Sequence, residues 1–441
     1  MTPPNRFVRW TACVAAALGL APLCVHATDG YFVQGFGAVN SALGGAATAG
    51  NADDLIGSLY KNPANAALFP DRTASIVFGD IMPKARTDSS VAAVGLKGSS
   101  DSTVSGVPYG SLMAVWKGST PGQAYFVGAV SEAGLNFHAA ASTTNPVFFP
   151  QAGATGNPFG GLFGGFGDVR SSLYVVRFPL GMTGAIPGGW SWGVSLDPSW
   201  GRNLFSPAAF AAPTLGTNGH PLYSTIQHVD NELGFGAQAG LRCQVDDVLS
   251  AGLSVSTPTW FNSYSWSVND PFGSRTLTFK MNRPLTAQAG INRALGDTTH
   301  VVADAGYIAY GSAAGFSKLG YTANGSIAGL GWKDAWTFEA GVQQVLSKAV
   351  VLRAGYNYCS DPIPTSATFY NVGSPLHIAH HLSIGLSYAL QPGLTVDVSY
   401  THGFNHTQSS AWYNPAGAVP GTSLTSAISG NEFAVGTTFR F

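Results

Sequence analysis

Residues 350–359 read VVLRAGYNYC and residues 380–388 read HHLSIGLSY, and the way these two stretches alternate decides the fold. In the first, Val350, Leu352, Ala354, Tyr356 and Tyr358 share one face, and Val351, Arg353, Gly355, Asn357 and Cys359 share the other. In the second, Leu382, Ile384, Leu386 and Tyr388 alternate with Ser383, Gly385 and Ser387. Successive side chains of a strand point to opposite faces, so each stretch has one apolar face and one small or polar face. Segments of roughly ten such residues, separated by breaks, are the mark of strands that cross a membrane with lipid on one side and a polar lumen on the other.

Working outward, the theme recurs fourteen times, in segments starting near Thr73, Pro108, Gln123, Val169, Gly189, Val229, Val248, Thr276, Thr298, Trp332, Ala349, His380, Leu394 and Gly430. The sixth turns Leu233, Phe235, Ala237, Ala239 and Leu241 outward and Glu232, Gln238 and Arg242 inward. Even-numbered breaks are tight, at 118–122, 181–188, 244–247, 295–297, 346–348 and 391–393, while odd-numbered breaks are long. Outer-membrane barrels have an even strand number, short periplasmic turns and long outer loops. The expected fold is therefore an all-β transmembrane barrel of about fourteen antiparallel strands with both termini in the periplasm.

Composition agrees. Only 10% of the 441 residues are charged, against roughly 25% in soluble domains. Yet beyond the first 27 residues no apolar run reaches the ~18 that a spanning helix needs. The chain starts with Arg6 and Arg9, an apolar stretch from Trp10 to Val25, and Val25-His26-Ala27, which predicts a signal peptide over 1–27. Removing it takes two of the 21 basic residues and none of the 22 acidic ones, leaving a formal charge of −3 and no basic patch for nucleic acid. Of four cysteines, Cys243 and Cys359 remain, on opposite faces and at opposite ends of the expected barrel. The ~25 Å apolar band between those ends far exceeds the ~7 Å that a disulfide spans, so two free thiols are expected. The last segment places Phe433, Val435, Phe439 and the terminal Phe441 on one face, which resembles the recognition signal for the barrel assembly machinery.

Residues 28–71 do not read as a strand: they are rich in Gly and Ala and contain Asp53, Asp54 and Asn62-Pro63-Ala64. An empty fourteen-strand barrel would be a water pore, so this stretch is either a plug for the lumen or a periplasmic arm. Residues 35–64, GFGAVNSALGGAATAGNADDLIGSLYKNPA, resemble the N-terminal hatch of the FadL/TodX family of outer-membrane transporters for long-chain fatty acids and aromatic hydrocarbons. Trp332-Lys333-Asp334-Ala335-Trp336, Arg353-Ala354-Gly355-Tyr356 and Asp361-Pro362-Ile363-Pro364 form a second match. The resemblance spans the mature chain and implies a hatch over 28–71, ending in Asn62, Pro63 and Ala64, inside a barrel over 72–441. It also implies passive diffusion of a hydrophobic small molecule across the outer membrane of a Gram-negative bacterium. Cargo would be caught at the outer loops, held near the hatch, and released sideways into outer-membrane lipid where the third strand kinks, here at Ala133, Gly134 and Leu135 within Glu132-Ala133-Gly134-Leu135-Asn136.

The loops point the same way from the residues alone. Outer loops of a general porin are polar, but here one carries Phe148, Phe149, Phe159, Leu162, Phe163 and Phe166, and the next carries Leu204, Phe205 and Phe210. Apolar clusters of this size mark a binding surface, or a lid of loops packed on each other. Glu232, Arg242, Asp304, Glu339, Arg353, Asp397 and Arg440 read as lumen charges that pair with the hatch, with Arg242 or Arg353 able to meet a carboxylate. No catalytic, metal or cofactor set is expected. His377, His380 and His381 cluster, but neighbours on a strand point to opposite faces, and no paired carboxylate or Cys joins them. They read as surface residues, where the resemblance would put an arginine. The remaining alternatives are a porin and an outer-membrane hydrolase; the expected assembly state is a monomer.

Overall fold

The computed structural model describes residues 29–441 apart from Gly160, Leu162 and Phe272. The expected signal peptide and Thr28 lie outside the described residues. Fourteen antiparallel strands form the wall: β1 (Thr73–Val91), β2 (Val107–Lys117), β3 (Ala124–Ala139), β4 (Val169–Arg177, continued by Leu180–Ile186), β5 (Trp190–Ser206), β6 (Asp230–Gln244) and β7 (Leu249–Ser256, continued by Trp260–Phe261). They continue as β8 (Thr286–Ala294), β9 (Thr299–Ile308), β10 (Ala335–Val345), β11 (Val350–Cys359), β12 (His380–Gln391), β13 (Leu394–Asn414) and β14 (Gly417–Arg440). Each pairs with its sequence neighbours, and β14 returns to β1 along the register Thr73↔Arg440 to Val91↔Thr422, so the barrel closes without an edge. Closure pairs the outermost strands with each other, as a lipid environment that offers no hydrogen bonds demands.

The faces follow the alternation. Leu233, Ile384 and Phe433 stand on the outside, more than half exposed, while Gln238, Ser383 and Glu432 on the same strands are buried in the lumen. At the end holding Thr73 and Arg440 the turns are tight, such as Pro392-Gly393, where Gly393 takes the left-handed φ of 80° that a two-residue hairpin needs.

Two sequence expectations are corrected. The eighth wall strand is Thr286–Ala294, not a segment from Thr276; Tyr264–Asp270 and Gly273–Phe279 instead form a separate hairpin in an outer loop. That hairpin buries Tyr264, Trp266, Val268 and Leu277 on one face and so shows the same period of two as a wall strand. The true strand turns out Ala287, Ala289, Ile291 and Arg293, and gives a weaker signal. The last outer connection is also not long: β13 and β14 run on as a hairpin closed by the turn at Pro415-Ala416, and β14 starts at Gly417 rather than near Gly430.

Inside the barrel sits the N-terminal segment. It contains helix α1 (Ala38–Ala42), helix α2 (Leu55–Lys61) and a 3-10 turn over Pro63–Leu68. Asp54 caps α2 by accepting from the Gly57 amide at 3.0 Å, which satisfies one of the donors a helix start leaves unpaired. Lumen-facing glycines let the segment lie against the wall: a Cβ on Gly193, Gly240, Gly252, Gly355 or Gly385 would collide with Pro63-Ala64, Asn62, Thr48, Gly44 or Ala42.

Candidate functional site

Asn62, Pro63 and Ala64 join the N-terminal segment to the wall. Asn62 ends α2, accepts from the Ala64 amide at 3.0 Å, and donates from Nδ2 to the carbonyls of Thr48 and of Leu241 in β6, both at 2.9 Å. Pro63 opens the 3-10 turn, where its missing N–H costs nothing. Ala64, fully buried, offers its carbonyl to Thr183 and Ser191 hydroxyls on β4 and β5.

Charges hold the rest of the segment. Lys61 Nζ lies 2.8 Å from both carboxylate oxygens of Glu339 in β10, with both side chains buried. Burial works to lower the Lys61 ammonium, but Glu339 and Asp304 outweigh it and hold it above its ordinary range. Arg353 and Arg440 reach Asp53 at 3.4 Å, Asp304 accepts from the amides of Ala47 and Thr48 at 2.8 Å, and Arg242 donates to the Ala49 carbonyl at 2.9 Å. Arg242, Glu339 and Arg353 therefore face the segment. Burial pushes the Asp54 carboxyl up to about 7 against the pull of the Gly57 amide, and the Asp29 carboxyl up to about 6 against the pull of Lys61.

The third wall strand carries a bulge. The β3–β4 register runs regularly to Ser131↔Val176 and resumes at Ala133↔Val175, leaving Glu132 as the extra residue. On its other side β3 pairs with β2 only from Lys117↔Ala124 to Leu112↔Ala129. Beyond that point Ser131 bonds Ser111 and Gly110 by its amide and hydroxyl, and the ladder between the strands stops. Glu132 turns inward, fully buried, where it meets Arg283 at 3.1 Å and accepts from the Tyr60 hydroxyl at 3.0 Å; its carbonyl accepts from the Val33 amide. The bulge is thus tied to both ends of the N-terminal segment. Sequence reading placed weight on Ala133, Gly134 and Leu135 and overlooked Glu132 and Arg283, although a glutamate inside an apolar strand was visible in the sequence.

An inner cavity with about 910 Å³ of empty space lies at this bulge. Gly134, Leu135 and Phe137 of β3 line one side, Tyr31, Phe32 and Gln34 another, and Ile378, His381 and Ile428 a third. A second cavity, with about 610 Å³ of empty space, lies among the outer loops and is lined by Phe166, Phe205, Phe210, Phe279, Leu330 and Tyr370. The 373–378 segment stands between them: Gly373 and Ser374 line the outer cavity, Pro375, Leu376 and Ile378 the inner.

The loop aromatics are brought together rather than spread in water. Phe149 stacks on Phe159 at 5.6 Å, Phe163 stacks on Trp412 at 5.7 Å, and Phe166 packs on Phe369 at 5.2 Å. Phe148 and Phe149 are buried, whereas Phe166, Phe205 and Phe210 reach the cavity, and Leu204 packs on the same cluster; Leu204 and Phe205 belong not to a loop, as expected, but to the outer end of β5, which runs on to Ser206. Leu162 lies outside the described residues. The surface reading of the histidines is corrected: His377 and His381 are buried, because the 360–379 loop folds over the start of β12. His377 Nδ1 lies 2.9 Å from His406 Nδ1 and its Nε2 3.0 Å from Ser426 Oγ, while His380 meets the Tyr356 hydroxyl on the outer face. Among the described residues no three His, Cys, Asp or Glu side chains group as a metal site. Cys243 and Cys359 are both free thiols.

A closed fourteen-strand barrel with an apolar outer face and its N-terminal segment inside defines a membrane-embedded β-barrel protein. The family model described as outer membrane protein transport protein (OMPP1/FadL/TodX) matches residues 214–441, just over half of the chain, and the protein belongs to that family. No curated protein sequence matches it. In fold it is similar to the toluene transporter TodX of P. putida, at 16% identity and TM-score 0.64, covering 92% of this chain and 99% of that one. It is similar also to the toluene transporter TbuX of Ralstonia pickettii, at 18% identity and TM-score 0.62 over 92% and 99% of the two chains. A FadL homologue of Pseudomonas aeruginosa matches at 13% identity and TM-score 0.70 over 93% and 99%.

Proposed function

We propose that the protein carries hydrophobic small molecules, long-chain fatty acids or hydrocarbons, across the outer membrane of a Gram-negative bacterium by passive diffusion. Cargo is captured in the outer cavity, moves past the 373–378 segment into the inner cavity, and leaves sideways into outer-membrane lipid beside β3. The observation that carries this reading is the stop in the β2–β3 ladder beyond Leu112↔Ala129, past which Val107 of β2 and Gly134, Leu135 and Phe137 of β3 line the inner apolar cavity. Family membership and the two toluene transporters of like fold support it. On this reading residues 1–27 are a signal peptide, 28–71 the hatch, 72–441 the barrel, Phe441 the contact for the assembly machinery, and the working unit a monomer.

No catalytic role is assigned. The buried titratable groups at the inner cavity hold structure instead, Glu132 against Arg283 and Glu432 against the Tyr109 and Ser41 hydroxyls. A general porin is the weaker reading, since Lys61, Asp53 and Asn62 fix the segment across the lumen. The test is uptake of radiolabelled oleate and toluene by cells whose own transporters of this class are deleted, with and without this chain. Expression should raise uptake of at least one of them; unchanged uptake of both by correctly inserted barrel would overturn the proposal.

A further inference from the structure

The lining of the inner cavity is short of positive charge. Among the described residues lining it there is no Lys and no Arg, while two carboxyl groups, Asp29 and Glu432, are present. Two cations lie behind Asp29 and Phe32, in a separate small cavity, and both are committed: Lys61 to the two oxygens of Glu339, Arg283 to Glu132. In the outer cavity the one lining cation, Arg170, reaches back to Asp168 at 2.6 Å. A carboxylate brought into the inner cavity would lose its water and meet no positive partner, and a buried, unpaired charge is strongly disfavoured.

Two lining side chains keep polar atoms without a hydrogen-bond partner, Asp29 at its Oδ1 and Gln34 at both ends of its amide. Gln34 is 6% exposed and lines the inner cavity, yet neither its Oε1 nor its Nε2 has a hydrogen-bond partner in the protein. Buried amides are almost always satisfied, so a donor and an acceptor left open at an apolar cavity point to a ligand that completes them. Asp29 is a carboxyl, so its open Oδ1 can accept but repels an anion; Glu432 accepts from Tyr109 and Ser41, and His381 Nδ1 faces Asn357 Oδ1 at 3.4 Å.

We propose that the inner cavity takes an uncharged, mainly apolar molecule bearing a single hydroxyl, carbonyl or amide group, that Gln34 recognises this group, and that carboxylates are rejected. This rests on the transport reading above and narrows its cargo away from ionised fatty acids. The amide is suited to the task because it donates and accepts without charge, so it serves an alcohol and a ketone alike.

The test is calorimetric binding to purified protein at pH 8, where an imidazole of ordinary pKa is neutral. The probes are two matched series: toluene, benzyl alcohol and benzoate, and octane, octan-1-ol and octanoate. Wild-type protein should bind each alcohol at least about ten-fold more tightly than its carboxylate. Gln34→Leu should weaken each alcohol relative to its hydrocarbon by about five- to ten-fold, the effect of one neutral hydrogen bond. Gln34→Lys should raise carboxylate affinity relative to alcohol by about ten-fold or more. Folding of each variant is checked by heat-modifiable gel migration, with the isosteric Gln34→Glu in reserve; it should lower carboxylate affinity further. Carboxylates binding wild type as tightly as alcohols, or an alcohol-to-hydrocarbon ratio unchanged by Gln34→Leu, would overturn this inference and leave the transport reading standing. Binding of none of the six probes would remove both.

Discussion

At the scale of the residue, the ion pair of Lys61 and Glu339 shows what holds the hatch. Each partner is buried and each carboxylate oxygen is met by the ammonium at 2.8 Å, so removing one partner strands the other charge out of water. Breaking such a pair costs about 3–5 kcal/mol, whereas replacing both partners by neutral groups costs far less. Glu339→Gln should therefore free the hatch and speed its cleavage by an added protease by roughly a hundred-fold, and Lys61→Met in the same chain should reverse most of that gain. Equal cleavage rates in the single and double variants would show that the pair does not anchor the segment. Asp54 gives the segment a pH dependence of known sign. Burial raises its carboxyl from 3.8 to about 7, so the folded hatch binds this proton more tightly than the unfolded one. Its contribution is full below 3.8 and is lost as the pH rises through about 7. Channel openings in planar bilayers should be more frequent at pH 8 than at pH 5, and Asp54→Asn, which still caps α2, should flatten that difference.

At the scale of the element, the bulge in β3 changes how its function is tested. An unbulged strand needs a two-residue deletion to keep its faces, because a single deletion inverts the alternation. Here the register itself names one surplus residue, Glu132, so deleting Glu132 alone restores the ladder to β4 and, by straightening β3, lets it resume the ladder to β2 beyond Leu112↔Ala129. Arg283→Met should accompany the deletion, since Arg283 would otherwise lose its carboxylate. The expected outcome is a folded barrel that still binds ligand on whole cells and no longer passes it on; normal uptake would rule out the route beside β3. The outer loops make the converse case. Phe163 packs on Trp412, Phe149 and Phe159, and Phe166 lines the outer cavity. Phe163→Asp with Phe166→Asp places charge among these rings, and should weaken ligand binding at the cell surface by about ten-fold or more while the wall is untouched. Unchanged surface binding would move capture elsewhere.

At the scale of the whole molecule, the hatch and the wall are one structure in two parts. The wall is closed by hydrogen bonds alone, with β14 returned to β1 over nineteen register pairs, and needs no plug to complete it. Deleting 29–70 should therefore leave a heat-modifiable barrel that conducts as an open pore, against little steady current in the intact chain. A wild-type chain with the same conductance as the deletion would show that the hatch does not seal the lumen.

The sequence by itself determined the class of fold, the number of strands, which face of most strands meets lipid, and where the short turns lie. It could do so because a wall strand has only two environments, and side chains must alternate between them. It failed where that link weakens. The hairpin over 264–279 packs one face on other loops, so burial by protein imitates burial by lipid, and β8 turns out one large apolar residue, Ile291, beside Ala287, Ala289 and Arg293. The 360–379 loop covers His377 and His381, which no periodicity could reveal. Only the tertiary structure decided the site. Glu132 finds Arg283 across 151 residues, Lys61 finds Glu339 across 278, and Gln34 finds no partner although it is buried. Whether a polar side chain is paired or left open depends on what long-range closure of the barrel brings beside it, and that is not written in its neighbours along the chain.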